Sequence, residues 1–355
     1  MKQIIIFVIT AVLFMNCTRK EESKPQSDDK KQNKDYQMIE ETMMSPWNMA
    51  DNTDSPAFYK NGENAWILAT MKETDGLMIY DAVTGEVIKT VGKSGTGQAE
   101  FERPNGIWVI DDMVLVTERD NHRVQVLSLP EFKFIGYIGT DKLKRPYGLS
   151  VYKEDGNYEL YITDQYEEPN EQIPADSLLD ERVLHYRFNT ENGSFNAEFV
   201  RYIGETQGEG VLHTVESIFA DPQNNKLMIA EETEAYTHIK VYDLKKGTYI
   251  KGLGKDLFEH QAEGIALYDC GNGKGFWFFT DQFTGDNTYH IFSRKDLKYI
   301  KSFRSENTQN TDGVWLTQQS YENHPQGSFI MVNNDGGIGV YEMQFLMNEL
   351  ELSCD

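Results

Sequence analysis

The sequence predicts an all-β fold, a six-bladed β-propeller with four-stranded antiparallel blades. Three observations predict it. A short motif recurs along the chain: a polar residue, a small residue, then an apolar strand. A second apolar strand with a common ending follows each copy. The composition is rich in Tyr, Phe and Gly, which suits strands and tight turns better than a helical bundle.

The motif occurs as Asn105-Gly106-Ile107, Tyr147-Gly148-Leu149, Glu216-Ser217-Ile218, Glu263-Gly264-Ile265 and Asp312-Gly313-Val314. Asp54-Ser55-Pro56-Ala57-Phe58 is a sixth, less regular copy. Second strands are expected at 67–70, 114–117, 160–163, 227–230, 277–280 and 329–332. Third strands follow at 77–80, 124–127, 184–188, 239–242, 290–292 and 339–341. Fourth strands follow at 87–91, 134–138, 199–203, 249–253 and 299–303. Turns such as Thr84-Gly85 and Lys246-Gly247 separate them. Four short strands repeated six times are the signature of a propeller. The last repeat has no fourth strand of its own. Residues 35–50, with Tyr36, Met38, Ile39 and Trp47, are expected to supply it and close the ring. The third repeat carries an acidic insertion at 167–180, with Pro169 and Pro174, read as a surface loop.

The N-terminus reads as a processing signal. Lys2 precedes an apolar run at 4–14, too short to span a bilayer. The run ends at Leu13-Phe14-Met15-Asn16-Cys17, which resembles a bacterial lipobox. The expected organisation is a lipoprotein signal peptide at 1–16, a flexible tether at 17–34 and the propeller at 35–355. A secretory signal with an incidental Cys is the alternative. The chain is thus expected as a monomer, lipid-anchored through Cys17 in the bacterial cell envelope, at the outer membrane on its periplasmic or surface face. The membrane contact would be that lipid alone. Cys270 and Cys354 remain; one pair makes no disulfide framework, and no spacing fits zinc.

A net charge of −23 argues against a nucleic-acid partner and against an anionic membrane surface. A small anionic substrate requires a metal ion that inverts the local field. First strands line a propeller channel, so Asp54, Asn105, Tyr147, Glu216, Glu263 and Asp312 are expected around one mouth. The residues that end each second strand are expected beside them. These are Lys72, Glu118 with Arg119, Asp164 with Gln165, Glu231 with Glu232, Asp281 with Gln282, and Asn333 with Asn334. Crowded carboxylates repel one another, and a hard cation with oxygen ligands relieves the repulsion. The oxygen-rich set favours calcium over zinc or copper. The same residues also fit a solvated rim without metal. The Gly92-Lys93-Ser94 turn lacks the glycine a phosphate loop needs, since Val87 stands there.

At these residues the chain resembles the β-propeller phytases. Asp54-Ser55-Pro56-Ala57 is similar to the family's Asp-Asp-Pro-Ala. Lys72 before Gly76-Leu77-Met78-Ile79-Tyr80-Asp81, and Glu231-Glu232 after 227–230, are similar to family segments. So are Glu263-Gly264-Ile265, the Gly271–Phe276 stretch and Thr311-Asp312-Gly313. The resemblance implies several calcium ions that neutralise the channel, and a water that attacks phosphorus. It implies phosphate contacts from Lys72, Arg119 and Tyr147, with Glu216 and Glu263 also catalytic. It implies calcium ligands among Asp54, Glu216, Glu231, Glu232, Glu263, Asp312 and, in the shortened 333–337 loop, Asp335. Gln165 stands where the family carries a phosphate-binding Lys. Residues 95–126 are also similar to an NHL-type repeat, in whose light Asn121 and Arg123 pack blades. The implied function is a calcium-dependent phosphomonoesterase resembling 3-phytase, acting on phytate or a related small phosphate ester outside the cytoplasm. The alternatives are a non-catalytic propeller that binds a glycan, peptide or envelope partner, and a lactonase-like metal propeller.

Overall fold

The computed structural model describes residues 36–62, 64–191, 194–233, 236–285 and 287–354. The expected signal peptide and tether lie outside the described residues. Alternating side chains and glycine turns fold the described chain into six sheets, each a blade. Blade one is Thr53–Asn61, Asn64–Met71, Gly76–Asp81 and Val87–Val91. Blade two is Pro104–Ile110, Met113–Glu118, Arg123–Ser128 and Phe134–Ile138. Blade three is Pro146–Glu154, Asn157–Asp164, Val183–Glu191 and Ser194–Ile203. Blade four is Val215–Asp221, Lys226–Glu231, His238–Asp243 and Tyr249–Leu253. Blade five is Gln261–Gly271, Lys274–Gln282, Thr288–Ser293 and Tyr299–Ser305. Blade six takes Val314–Thr317, Ser328–Asn333 and Gly337–Glu342 from the C-terminal end.

Its fourth strand comes from the other end of the chain. Met43–Met44 pairs antiparallel with Gly337–Glu342, Met43 facing Val340. Thr42 N donates to Val340 O at 2.8 Å, and Ser45 N to Ile338 O at 2.9 Å. The segment does a second thing that periodicity did not announce. Gln37–Ile39 adds a parallel fifth strand to blade five, Met38 facing Arg304. One N-terminal stretch therefore ties two neighbouring blades together.

The core is distributed over the seams between blades. Six apolar clusters of buried residues each join one adjacent pair. The seam of blades five and six is covered by a helix, Met343–Glu349, whose Met343, Leu346 and Met347 are buried. The Glu342 carboxylate caps it by accepting from Gln344 N and Phe345 N. Cys270 and Cys354 form a disulfide that ties the tail beyond this helix to blade five.

A chain beginning at residue 46 should melt at least about 3 °C below one beginning at residue 36, since it leaves two strand edges bare. Equal transitions in scanning calorimetry would show that closure depends on neither strand.

Candidate functional site

Five of the six first strands, all but that of blade six, start with an irregularity that decides where the polar residue points. The pairing slips by one residue between Thr53 and Pro56, Pro104 and Ile107, Pro146 and Leu149, Val215 and Ile218, and Ala262 and Ile265. Asp54, Asn105, Tyr147, Glu216 and Glu263 all lie inside these bulges. A bulge frees a residue from the ladder and re-aims its side chain. The small residue that follows is required by packing. A Cβ on Gly106 would lie 2.5 Å from Tyr147 O, and one on Gly313 would lie 2.7 Å from Asp54 O.

The mouth that results is crowded with acids. Carboxylate oxygens of Glu216, Glu232 and Glu263 lie within 4.8 Å of one another. Lys72 Nζ lies 2.7 Å from Asp54 Oδ1, and both side chains are buried. Ser55 Oγ donates to Asp54 Oδ2 at 2.8 Å. Gln282 Nε2 donates to Asp312 Oδ1 at 2.7 Å. Glu232 Oε1, Asp312 Oδ2 and both polar atoms of the Asn105 amide are buried with no hydrogen-bond partner. Below the acids the channel is apolar, with a void of about 170 Å³. Trp108 stands edge-on to Phe219 at 5.4 Å and to Trp315 at 4.9 Å within its wall.

This setting penalises ionised acids. Burial, then the Asp54 charge, pushes the Glu216 carboxyl up to about 7. Burial, followed by Glu216 and the neighbouring acids, holds Glu232 and Glu263 well above the usual carboxylate range. Burial lifts Asp312 likewise, against the pull of Lys72. Burial disfavours the Lys72 cation, but Asp54, Asp312 and Glu216 outweigh it and keep it charged. Burial, then Glu216, raises the Tyr147 hydroxyl well above its ordinary value, so it stays a donor. Clustered oxygens, unpartnered buried atoms and uncompensated charge are what a hard divalent cation fits.

The acids at the ends of the second strands behave differently, and here the sequence expectation needs correction. Glu231 does not join the cluster. Its carboxylate accepts from His213 N at 2.8 Å and Thr214 N at 2.9 Å, and lies 3.1 Å from Lys240 Nζ. Asp164 accepts from Lys144 N and Arg145 N, and Asp281 from Glu259 N and His260 N. Glu118 pairs with Arg123 at 2.7 Å and accepts from Asn121, so those residues pack the blade. The reason is the two-residue period of a strand: in the pairs Glu231–Glu232 and Asp281–Gln282, the first residue faces the loop and the second faces the mouth. Thus Glu232 and Gln282 reach the mouth where Glu231 and Asp281 do not. Arg119 is held by its neighbour Asp120 at 2.7 Å. Asp335 stands at the edge, accepting from Asn310 Nδ2 at 3.3 Å and raising Asp312. Beside the blade-three insertion, a recess of about 640 Å³ holds Lys144 and Arg145. Glu181 and Glu167 pair with them, so that recess is a poor anion site.

Fold and site together define a propeller with a cation-suited acidic mouth at one end of its channel. Residues 206–320 match the family model described as Phytase. That stretch supplies Glu216, Glu232, Glu263 and Asp312. No curated protein matches the chain. Among solved structures, the gluconolactonase XC5397 from Xanthomonas campestris is similar with a TM-score of 0.54 and 11% identity. The match covers 86% of this chain and 94% of that one. Hydrazine synthase of Kuenenia stuttgartiensis is similar with a TM-score of 0.52 and 11% identity, covering 86% and 80%. At that identity both matches speak for the fold alone.

Stability a raised carboxyl contributes is present at low pH and lost as pH rises through its folded value. With Glu216 at about 7, Glu216→Gln in chelator should raise the melting temperature at pH 8. The gain should vanish by about pH 5, where the wild-type acid is protonated as well. A gain equal at both pH values would show that Glu216 carries no such burden.

Proposed function

We propose that the protein is a calcium-dependent phosphomonoesterase resembling 3-phytase, acting on phytate (myo-inositol hexakisphosphate) or a related ester. The observation that carries this reading is the convergence, in one mouth, of Glu216, Glu232 and Glu263 with the Lys72–Asp54 pair and Tyr147. Glu216, Glu232, Glu263 and Asp312 would hold calcium, which supplies charge neutralisation and Lewis acidity toward a phosphoryl oxygen.

The chain's own groups do the rest. Lys72, charged at every physiological pH, donates to a phosphate oxygen and balances charge as it builds. Tyr147 keeps its proton and donates a second hydrogen bond. A carboxylate oxygen of Glu216 or Glu263 not engaged with the cation accepts the proton of the attacking water. The channel wall beneath, with Ile107, Trp108, Leu149, Phe219 and Trp315, lowers the local dielectric and so strengthens each of these interactions. The lipid anchor at Cys17 and an envelope location belong to the same proposal, and place the substrate outside the cytoplasm.

The test is phosphate release from phytate and from phenyl phosphate by residues 18–355, with calcium or with chelator. Release should require calcium, and Lys72→Met should lower kcat/KM by about 10²–10³-fold. No calcium-dependent release from either ester would overturn the reading. A calcium-raised melting temperature without release would mark a binding propeller instead.

A further inference from the structure

A groove of about 520 Å³ opens from the acidic mouth between blades four and five. Glu232 and Gln282 form its inner end, so it is continuous with the carboxylate cluster. Glu232 is buried, and its Oε1 has no partner. The outer wall is aromatic. His260 and Phe283 stack with ring centroids 3.9 Å apart and planes 12° from parallel. Phe283 keeps 44% of its surface exposed. Thr284 and Asn310 add hydroxyl and amide groups, themselves joined at 3.4 Å. Among the described residues that line the groove there is no Lys or Arg.

These features decide what can occupy it. A phosphate in this groove would meet the acids Glu232 and Glu259 and no Lys or Arg, with the His260 ring engaged in the stack on Phe283, so a second phosphate is disfavoured. A flat stacked pair with amide and hydroxyl groups along one side instead suits an uncharged ring. Such a ring offers an apolar face to the aromatics and edge groups to Gln282, Thr284 and Asn310. We propose that this groove holds the uncharged ring of the ester's alcohol part. The substrate class is then phosphomonoesters of ring alcohols with one charged group, in preference to phytate, whose ring carries a phosphate on every carbon. This rests on the phosphomonoesterase reading and narrows it to the related ester.

The test needs no turnover. Phenylphosphonate and methylphosphonate share a charged head and differ in the ring. Calorimetric titration of the calcium-loaded protein should find phenylphosphonate bound about five- to tenfold more tightly, the strength of one good aromatic contact. Phe283→Ala should bring the two within about twofold, and Phe283→Tyr should retain the preference. Phe283 is exposed enough that either substitution leaves the core untouched. Equal binding by the wild type, or a preference that survives in Phe283→Ala, overturns the groove assignment and leaves the phosphate reading standing. Binding of neither phosphonate overturns both.

Discussion

The close approach of six first strands around one axis is the constraint on which the rest depends. Where neighbouring strands begin, backbone meets backbone. Thr70 Oγ1 donates to Asn105 O, Thr117 Oγ1 to Tyr147 O, and Thr163 Oγ1 to Glu216 O, each reaching into the next blade. Gly313 N donates to Asp54 O at 2.9 Å and so joins the last blade to the first. These contacts leave no room for side chains between blades at that level, which is why the motif pairs each polar residue with a small one. They also leave the bulged polar side chain one direction to take, into the mouth. The acids are therefore brought together by packing, against their mutual repulsion.

That repulsion separates functional acids from structural ones within a single dipeptide. Burial pushes Glu231 up, but His213, Lys240 and two backbone N–H groups outweigh it and bring its carboxyl down to about 2. Its neighbour Glu232 meets burial, Glu216 and Glu263 instead, and is held well above the usual range. Two glutamates one residue apart thus experience opposite fields, because a strand turns them to opposite faces. A fold selected for stability alone would satisfy both, as it satisfies Asp164 and Asp281. Leaving the mouth acids uncompensated costs stability, and a bound cation is the partner that would offset the cost.

How much of this was legible follows from the range of the signals. The strand repeat is local, so the blades and their ring residues could be read directly. The closing strand could be inferred from a missing member of the repeat, and Met43–Met44 fills it. The three-residue parallel strand Gln37–Ile39 has too little pattern to announce itself. The bond between Cys270 and Cys354 spans 84 residues and leaves no local trace. Adjacency in sequence puts Glu231 and Glu232 at one position of the repeat, and only the strand's two-residue alternation separates them and turns Glu232 to the mouth. The groove was hidden for another reason. His260 and Phe283 lie just outside the first two strands of blade five, one before the first and one after the second, and only the sheet brings them face to face.

The ring is not symmetric, and its asymmetry bears on what it can hold. Blades four to six contribute Glu216, Glu232, Glu263 and Asp312, whereas blades two and three contribute the neutral Asn105 and Tyr147. Lys72, from blade one, is a cation held against Asp54. A divalent cation is drawn to the acidic half, where oxygens are close enough to share it. In the proposed function a phosphate would lie at the boundary, where such a cation, Lys72 and the Tyr147 hydroxyl would act together. The groove leaves the mouth from the acidic half, past Glu232. Whatever extends into it must be the part of the ligand without negative charge. On that proposal, the same charge distribution that favours a cation at the centre disfavours a second anion beside it.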